Sequence, residues 1–296
     1  MAISKFTLLS ILFLYTLNVH ANNKQNSEPL HVIYPKPERE NEQDNWYPLV
    51  LLKLALEHSE QPHTLQSSVK MVQSRSLKEL EQGELINVGW SMTSKERERI
   101  FTPIRIPIYK GLYGWRLLFT TKDKLPLFKD IKDEFHFHNI DFIQGHDWPD
   151  TDILRDNGLQ VSTSTSYAAL FNMLIRNRGD AFPRSILEIE WEKKQLSVKE
   201  NIVTVPNIAL SYPAAIYYFV NSKRPDIHQA IKIGLERMQQ NGEFDRLFNQ
   251  YFATSIANAK LHEKIIIKLD NKHLSKLTPL NDSELWFTPK NLQLDK

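Results

Sequence analysis

The stretch LINVGWSMTSKER, Leu85 to Arg97, decides how the rest of the chain is read. Leu85 to Gly89 is a short apolar run of strand type, and it empties through Trp90 into hydroxyl-bearing and charged side chains. Ahead of it, Ser74 is placed to cap a helix whose apolar positions are Leu77 and Leu80. Gly83 ends that helix at the position that tolerates left-handed backbone. A helix feeding a short strand is the repeating unit of α/β architecture.

Working upstream, Leu65 to Met71 reads as a strand, and Trp46 to His58 as a helix with Leu49, Leu52 and Leu56 on one face. Leu30 to Tyr34 reads as the first strand. Downstream, a second series begins with a strand at Leu117 to Thr121, a helix at Leu127 to Glu134 and a strand at Ile140 to Gln144. A helix then opens at Asp147-Trp148-Pro149 and closes at Asn157-Gly158. Leu159 to Thr163 is a strand, Ser166 to Asn177 a helix with Tyr167, Leu170, Phe171 and Leu174 inward, and Asp180 to Phe182 a strand. After a strand at Ile202 to Val205, the apolar run Ala214 to Val220 suggests a return to the first series. Two helices follow. Pro225 to Gln240 presents Ile227, Ile231, Leu235 and Met238, and Asn241-Gly242 separates it from a helix carrying Phe244, Leu247, Phe248 and Tyr251.

The expected fold class is therefore α/β in two lobes, each a mainly parallel sheet flanked by helices. The first lobe is discontinuous, 22–116 and 210–256, and the second is 117–209. Residues 257–296 read as a polar extension packing on the first lobe, with one strand at Lys264 to Leu269 and an anchor at Trp286-Phe287.

At the start of the chain, Lys5, an apolar run from Phe6 to Leu17 and the small-residue exit Val19-His20-Ala21 form a secretory leader, 1–21. That run is shorter than the roughly 20 residues a spanning helix needs, so cleavage after Ala21 and export to the periplasm are expected. There is no cysteine, which excludes disulfides, thiolate metal sites, cysteine nucleophiles and a lipidated cysteine. Lys and Arg number 37 against 35 Asp and Glu, a balance that argues against a nucleic-acid partner.

Three segments together resemble the type II periplasmic solute-binding proteins, in the family 3 branch that serves polar amino acid uptake, over roughly Leu30 to Phe252. The first is SMTSKER, Ser91 to Arg97, followed by Phe101-Thr102-Pro103 and Pro107-Ile108-Tyr109. The resemblance implies that Ser91, Thr93 and Arg97 line the cleft, with Arg97 taking a ligand carboxylate through two parallel charge-assisted hydrogen bonds. The bland alternative is that Ser94 caps a short helix whose Lys95 to Arg99 form a solvated face.

The second segment is Ile143-Gln144-Gly145-His146-Asp147, where His146-Asp147-Trp148 replaces the family's usual hydroxyls. His146 and Trp148 either wall the ligand or, for Trp148, belong to the core. The third is Arg178-Gly179-Asp180-Ala181-Phe182, implying Asp180 as a site residue. Where the family carries a second acid for the ligand ammonium, this chain has Ser185, preceded by Arg184. Arg184 either gives the cleft a cation or pairs with Glu188 one turn on. Tyr34, Trp90 and Tyr109 are candidate aromatic walls, each with a core reading beside it. The ending from Gly234 to Phe252, two helices parted by Asn241-Gly242, resembles the family's ending.

The resemblance implies a type II periplasmic-binding-protein fold with two hinge crossings, near Tyr113 to Phe119 and Leu210 to Tyr217. The implied function is capture of a small polar, carboxylate-bearing, amino acid-like ligand for transport by a monomer. No cofactor is implied, and the partner is a membrane permease or a sensor receptor. Enzyme signatures such as G-x-S-x-G and H-E-x-x-H are missing from the sequence, and Glu188, Glu190 and Glu192 alternate in a way that is not expected to converge. The alternatives are a periplasmic sensing module and, third, a dehydratase-type enzyme on the same scaffold.

Overall fold

The computed structural model describes residues 28–36, 46–195 and 201–289. The leader reading, 1–21, lies outside the described residues. In chain order the first part runs β1 (Leu30–Lys36), α1 (Tyr47–Ser59), β2 (His63–Lys70), α2 (Gln73–Gln82), β3 (Val88–Met92), α3 (Arg97–Ile100) and β4 (Thr102–Ile104). The middle part is β5 (Trp115–Thr121), β6 (Asp141–Gly145), α4 (Pro149–Asp156), β7 (Gln160–Ser164), α5 (Tyr167–Ile175), β8 (Phe182–Ser185), α6 (Ile189–Gln195), β9 (Ile202–Thr204) and β10 (Ile208–Ser211). The chain ends with β11 (Ile216–Val220), α7 (Pro225–Gln240), α8 (Glu243–Ala259) and β12 (Ile265–Lys268).

Two groups of strands form. In the first, β1 pairs in parallel with β2, and β11 lies antiparallel between β3 and β4, with Tyr218 opposite Trp90 and Ile104. Asn87 joins the two pieces. Its backbone N–H donates to Ile33 O at 2.9 Å, its Oδ1 accepts from Ile33 N at 2.8 Å and its Nδ2 donates to His31 O at 2.8 Å. In the second group β5 is the hub, antiparallel to β8, β9 and β10, while β12 adds in parallel to β10. The parallel pair β6–β7 attaches through a bridge from Phe142 to Ala181.

The sheets are thus mixed, which corrects the expectation of mainly parallel ones. Every residue of β5 is buried, and a strand buried on both faces reads as a continuous apolar run whichever way its neighbours point. The direction comes from connectivity: β11 returns from the middle part and enters between strands that run the other way.

Local readings shift in instructive ways. β3 begins at Val88 and carries Ser91 and Met92 within it, three residues on from the expected start. Val72, not Ser74, stands at the N-cap of α2, whereas Gly83 closes it at φ 77° as read. The helix expected at Leu127 to Glu134 is replaced by two 3-10 stretches, Lys122–Phe128 and Glu134–Asn139. Pro126 sits inside the first, and Asp133 caps the second by accepting from the backbone N–H of Phe135 and His136.

The core is where the helical periodicity placed it. Ile227, Ile231, Leu235 and Met238 of α7 are all fully buried, packed on α1 with its Leu51, Leu52, Ala55 and Leu56. Each such side chain contributes about 1.5–3 kcal/mol of burial. α1 and α7 approach so closely that a Cβ on Gly234 would lie 1.7 Å from Ala55 O. No helix among the described residues is long and apolar enough to cross a membrane.

Candidate ligand-binding site

The two parts of the chain are linked by passages that run side by side. β5 and β10 are antiparallel with Ser211 opposite Trp115, and Tyr212 N–H donates to Gly114 O at 3.1 Å. Contact is tight enough that a Cβ on Gly114 would lie 1.8 Å from Tyr212 O.

Beside these passages, the end of β3 presents the segment that the sequence singled out. Arg97 Nη1 donates to Ser91 Oγ at 2.7 Å and to Met92 O at 2.6 Å, while its Nε and Nη2 make no hydrogen bond among the described residues. The turn is held from below. Thr93 Oγ1 donates to Glu98 at 2.7 Å, Glu98 pairs with Arg105 at 2.7 Å, and Ser94 Oγ accepts from Arg97 N–H at 3.2 Å. Ser94 Oγ thus holds the first N–H of α3, although Glu96 stands at the N-cap of that helix, and the Arg97 side chain turns back onto β3. Burial pulls the Arg97 guanidinium below its ordinary pKa, opposed by the charges of Glu96, Asp147 and Asp150. Asp147 and Asp150 belong to the entry of α4, so Arg97 feels the middle part across the junction.

The other named residues fall into two sets. Half-buried Trp90 meets Trp46 at 4.8 Å and Tyr218 at 6.0 Å, and half-buried Tyr34 lies near the end of β1. Ser91 is buried behind Arg97, and exposed His146 sits where β6 gives way to α4, its Nδ1 3.3 Å from Thr163 Oγ1. The remaining candidates are engaged by the protein itself. Tyr109 is buried among Tyr47, Tyr113 and Phe252, at 5.1, 4.8 and 5.5 Å between ring centres. Asp180 pairs with Lys124 at 2.7 Å and accepts from Asp141 N–H at 2.9 Å.

Arg184 is buried and pairs with Glu188 at 3.0 Å, as one reading foresaw, and also with Glu192 at 2.7 Å. Glu188 and Glu192 thus do converge, contrary to the expectation from their spacing, because Glu188 immediately precedes α6 and Glu192 follows it by one turn, so both reach one guanidinium. Glu190 points away to Lys193. Burial works against the charge of Arg184, yet the two glutamates outweigh it and raise its pKa. Trp148 takes the core reading in large part: half-buried, it stacks 21° from parallel on Phe182, lies under Arg184 at 4.8 Å and covers Gly145.

Sequence reasoning missed the centre of the junction. Buried Arg116 on β5 donates to Asp150 in the first turn of α4, and Tyr212 donates to the same oxygen. Arg116 also lies 3.6 Å from Glu188, which links this group to Arg184. The available signal was an arginine inside the apolar strand WRLLFTT, since a buried cation demands a partner. Gln144, fully buried on β6, makes no side-chain hydrogen bond among the described residues. A cavity of about 950 Å³ lies between α8 and Ser283–Pro289, and none of the candidate ligand-binding residues lines it, whereas Phe248, Trp286 and Phe287 do.

No family model matches the sequence, and no curated protein matches it. Solved structures do. An ancestral arginine-binding protein bound to arginine aligns over 76% of this chain and 98% of its own at 15% identity, with a TM-score of 0.54. The probable amino-acid ABC transporter extracellular-binding protein of Bacillus subtilis aligns over 76% and 98% at 15% identity, TM-score 0.59. A histidine kinase sensor domain with similarity to periplasmic binding proteins aligns over 76% and 96% at 14% identity, TM-score 0.53. The chain is thus structurally similar to amino-acid-binding periplasmic proteins and shares with them the α/β fold of the type II periplasmic binding proteins.

Proposed function

We propose that this chain is a periplasmic solute-binding protein that captures a small, polar, carboxylate-bearing and amino acid-like molecule between two lobes. The observation that carries this reading is the setting of Arg97. Its guanidinium is anchored through one nitrogen to Ser91 and Met92, and its Nε and Nη2 make no bond within the described protein. A cation held by a rigid turn with donors to spare suits a carboxylate guest. In this proposal 22–116 and 210–256 form the first lobe, 117–209 the second, and 257–296 the extension.

Arg97, held in place by Ser91 behind it, binds the carboxylate, Trp90 and Tyr34 supply aromatic wall, and His146 closes from the second lobe. Thr93 acts through the turn it braces. Tyr109, Asp180 and Arg184 are spent on internal partners and take no ligand contact here. Ligand touching both lobes stabilises the closed arrangement through contacts that the open one lacks, and a membrane permease reads that closed surface. The role is binding, without turnover. The arginine-bound ancestral protein and the Bacillus subtilis transporter protein support an amino acid-like guest.

A thermal-shift screen over amino acids, dicarboxylates, sugars and small peptides tests this. A ligand specific for the folded state raises the melting point, and the rise is expected among the carboxylates. Melting points unmoved across the panel, or moved only by uncharged sugars, overturn it. The likeness to a histidine kinase sensor domain favours a second reading, in which ligand occupancy is reported to a receptor. Neighbouring genes for a kinase or cyclase, in place of a permease and ATPase, select that reading.

A further inference from the structure

Four successive residues of the extension, Asp270 to His273, touch three separate pieces of the junction. The first is the end of α4. Asn157 Nδ2 donates to Asp270 O at 2.8 Å and Asn157 Oδ1 accepts from Asp270 N–H at 2.9 Å, a two-point amide pairing. His273 Nε2 lies 3.0 Å from Asp156 Oδ2, and Lys272 Nζ reaches Asp156 O at 3.4 Å. The second is the return passage, where Asn271 Nδ2 donates to Pro213 O at 2.9 Å. The third is the turn that carries Arg97. Lys95 N–H donates to His273 O at 2.8 Å, and Lys95 Nζ donates to Lys272 O at 2.7 Å.

We propose that Asp270–His273 is a strap that ties α4 to the Arg97 turn and sets the aperture between them. The inference rests on the two-lobed reading above, because α4 and Lys95 belong to opposite lobes there. Two features argue for a strap over incidental packing. β12, immediately before it, is fixed in register along β10 from Ile208–Ile265 to Ser211–Lys268, and Leu269 N–H continues the ladder to Ser211 O at 2.8 Å. The strap is therefore launched from a rigid strand that lies beside the passages. Its own bonds are mostly solvent-exposed, so each competes with water and is weak singly, while the set acts together. A contact of that kind holds a closed arrangement and still lets go on thermal timescales. Separating the lobes at this edge requires Asp270–His273 to release either Asn157 and Asp156 or Lys95.

The absence of cysteine in the chain makes the test direct. Spin labels on Lys78→Cys and Arg176→Cys, both exposed and one in each proposed lobe, report the inter-lobe distance in the full chain. The proposal expects one narrow distance population, joined by a second, longer one when Asn157→Ala and His273→Ala are introduced. Identical distributions with and without the two substitutions overturn it. Should that double variant fail to fold, Asn157→Ala alone is followed by hydrogen exchange at the Lys95 amide, in the other lobe. Exchange there is expected to speed up by about tenfold, and an unchanged rate overturns the proposal. No ligand enters either readout. A ligand panel that comes up empty thus leaves the strap standing, and an unchanged aperture leaves a positive panel standing.

Discussion

Arg116 on β5 and Asp150 in the first turn of α4 form a buried ion pair whose carboxylate also accepts from Tyr212. One oxygen thus joins β5, the start of α4 and the return passage. Such a pair is costly to desolvate, and its value lies in the expense of breaking it. It fixes where α4 starts relative to β5, and with it where His146 and Asp147 stand.

Removing one partner is the sensitive test of that pair. Asp150→Ala leaves Arg116 buried without its counter-charge and is expected to cost about 3–5 kcal/mol in urea unfolding. Tyr212→Phe removes one hydrogen bond to a charged group and is expected to cost about 1.5–3 kcal/mol. Equal losses from the two variants contradict the hierarchy.

The passages allow no added atom at Gly114. In Gly114→Ala the new Cβ meets Tyr212 O at 1.8 Å, a backbone atom that cannot rotate away, so a loss of about 1–3 kcal/mol or more is expected. Gly89→Ala is the contrast, since its Cβ meets Leu80 Cδ2 at an ordinary 3.5 Å. Thermal melts of the two variants should separate clearly.

With a carboxylate ligand in hand, Arg97→Ala should weaken binding by roughly 2–5 kcal/mol, the cost of breaking a desolvated charge contact. Arg97→Lys should recover only part of it, because an ammonium cannot make the two parallel bonds. Titration calorimetry decides, and wild-type affinity in Arg97→Ala removes this residue from the site.

High pH should unfold the protein steeply. Burial raises the phenols of Tyr47, Tyr109, Tyr113, Tyr212 and Tyr218 above the ordinary tyrosine range. In the unfolded chain they lose protons near pH 10, so above that pH the unfolded state binds fewer protons than the folded one. Their contribution to stability is complete below about pH 10 and is lost as pH climbs beyond it. Phenolate absorbance from these five should therefore appear together with loss of the circular dichroism signal. Phenolate forming well before unfolding contradicts the burial.

Much of the architecture is legible residue by residue. Pro225 to Gln240 is a helix over the very span read, and the four residues chosen for its inner face are fully buried. Pro149 opens α4 and Gly83 closes α2 for the same reason: proline and glycine act on their own dihedral angles, without reference to distant parts of the chain. Tyr167 was less legible. Periodicity places it inward with Leu170, whereas it stands 39% exposed, with its hydroxyl donating to buried Glu192, 25 residues away.

By itself the sequence determined the alternation of strands and helices and the inner faces of α7 and α8, while Ser91 to Arg97 stood out only through its resemblance to a family segment. The alternation and the inner faces follow from periodicity and local chemistry carried within each segment. Tertiary structure alone decided strand direction, the spending of Arg184 on two glutamates, the meeting of Arg116, Asp150 and Tyr212, and the reach of Asp270 to Asn157, 113 residues apart. A buried charge must find a partner, but nothing in its neighbours along the chain names which one. That choice is made when separate elements pack and water leaves between them.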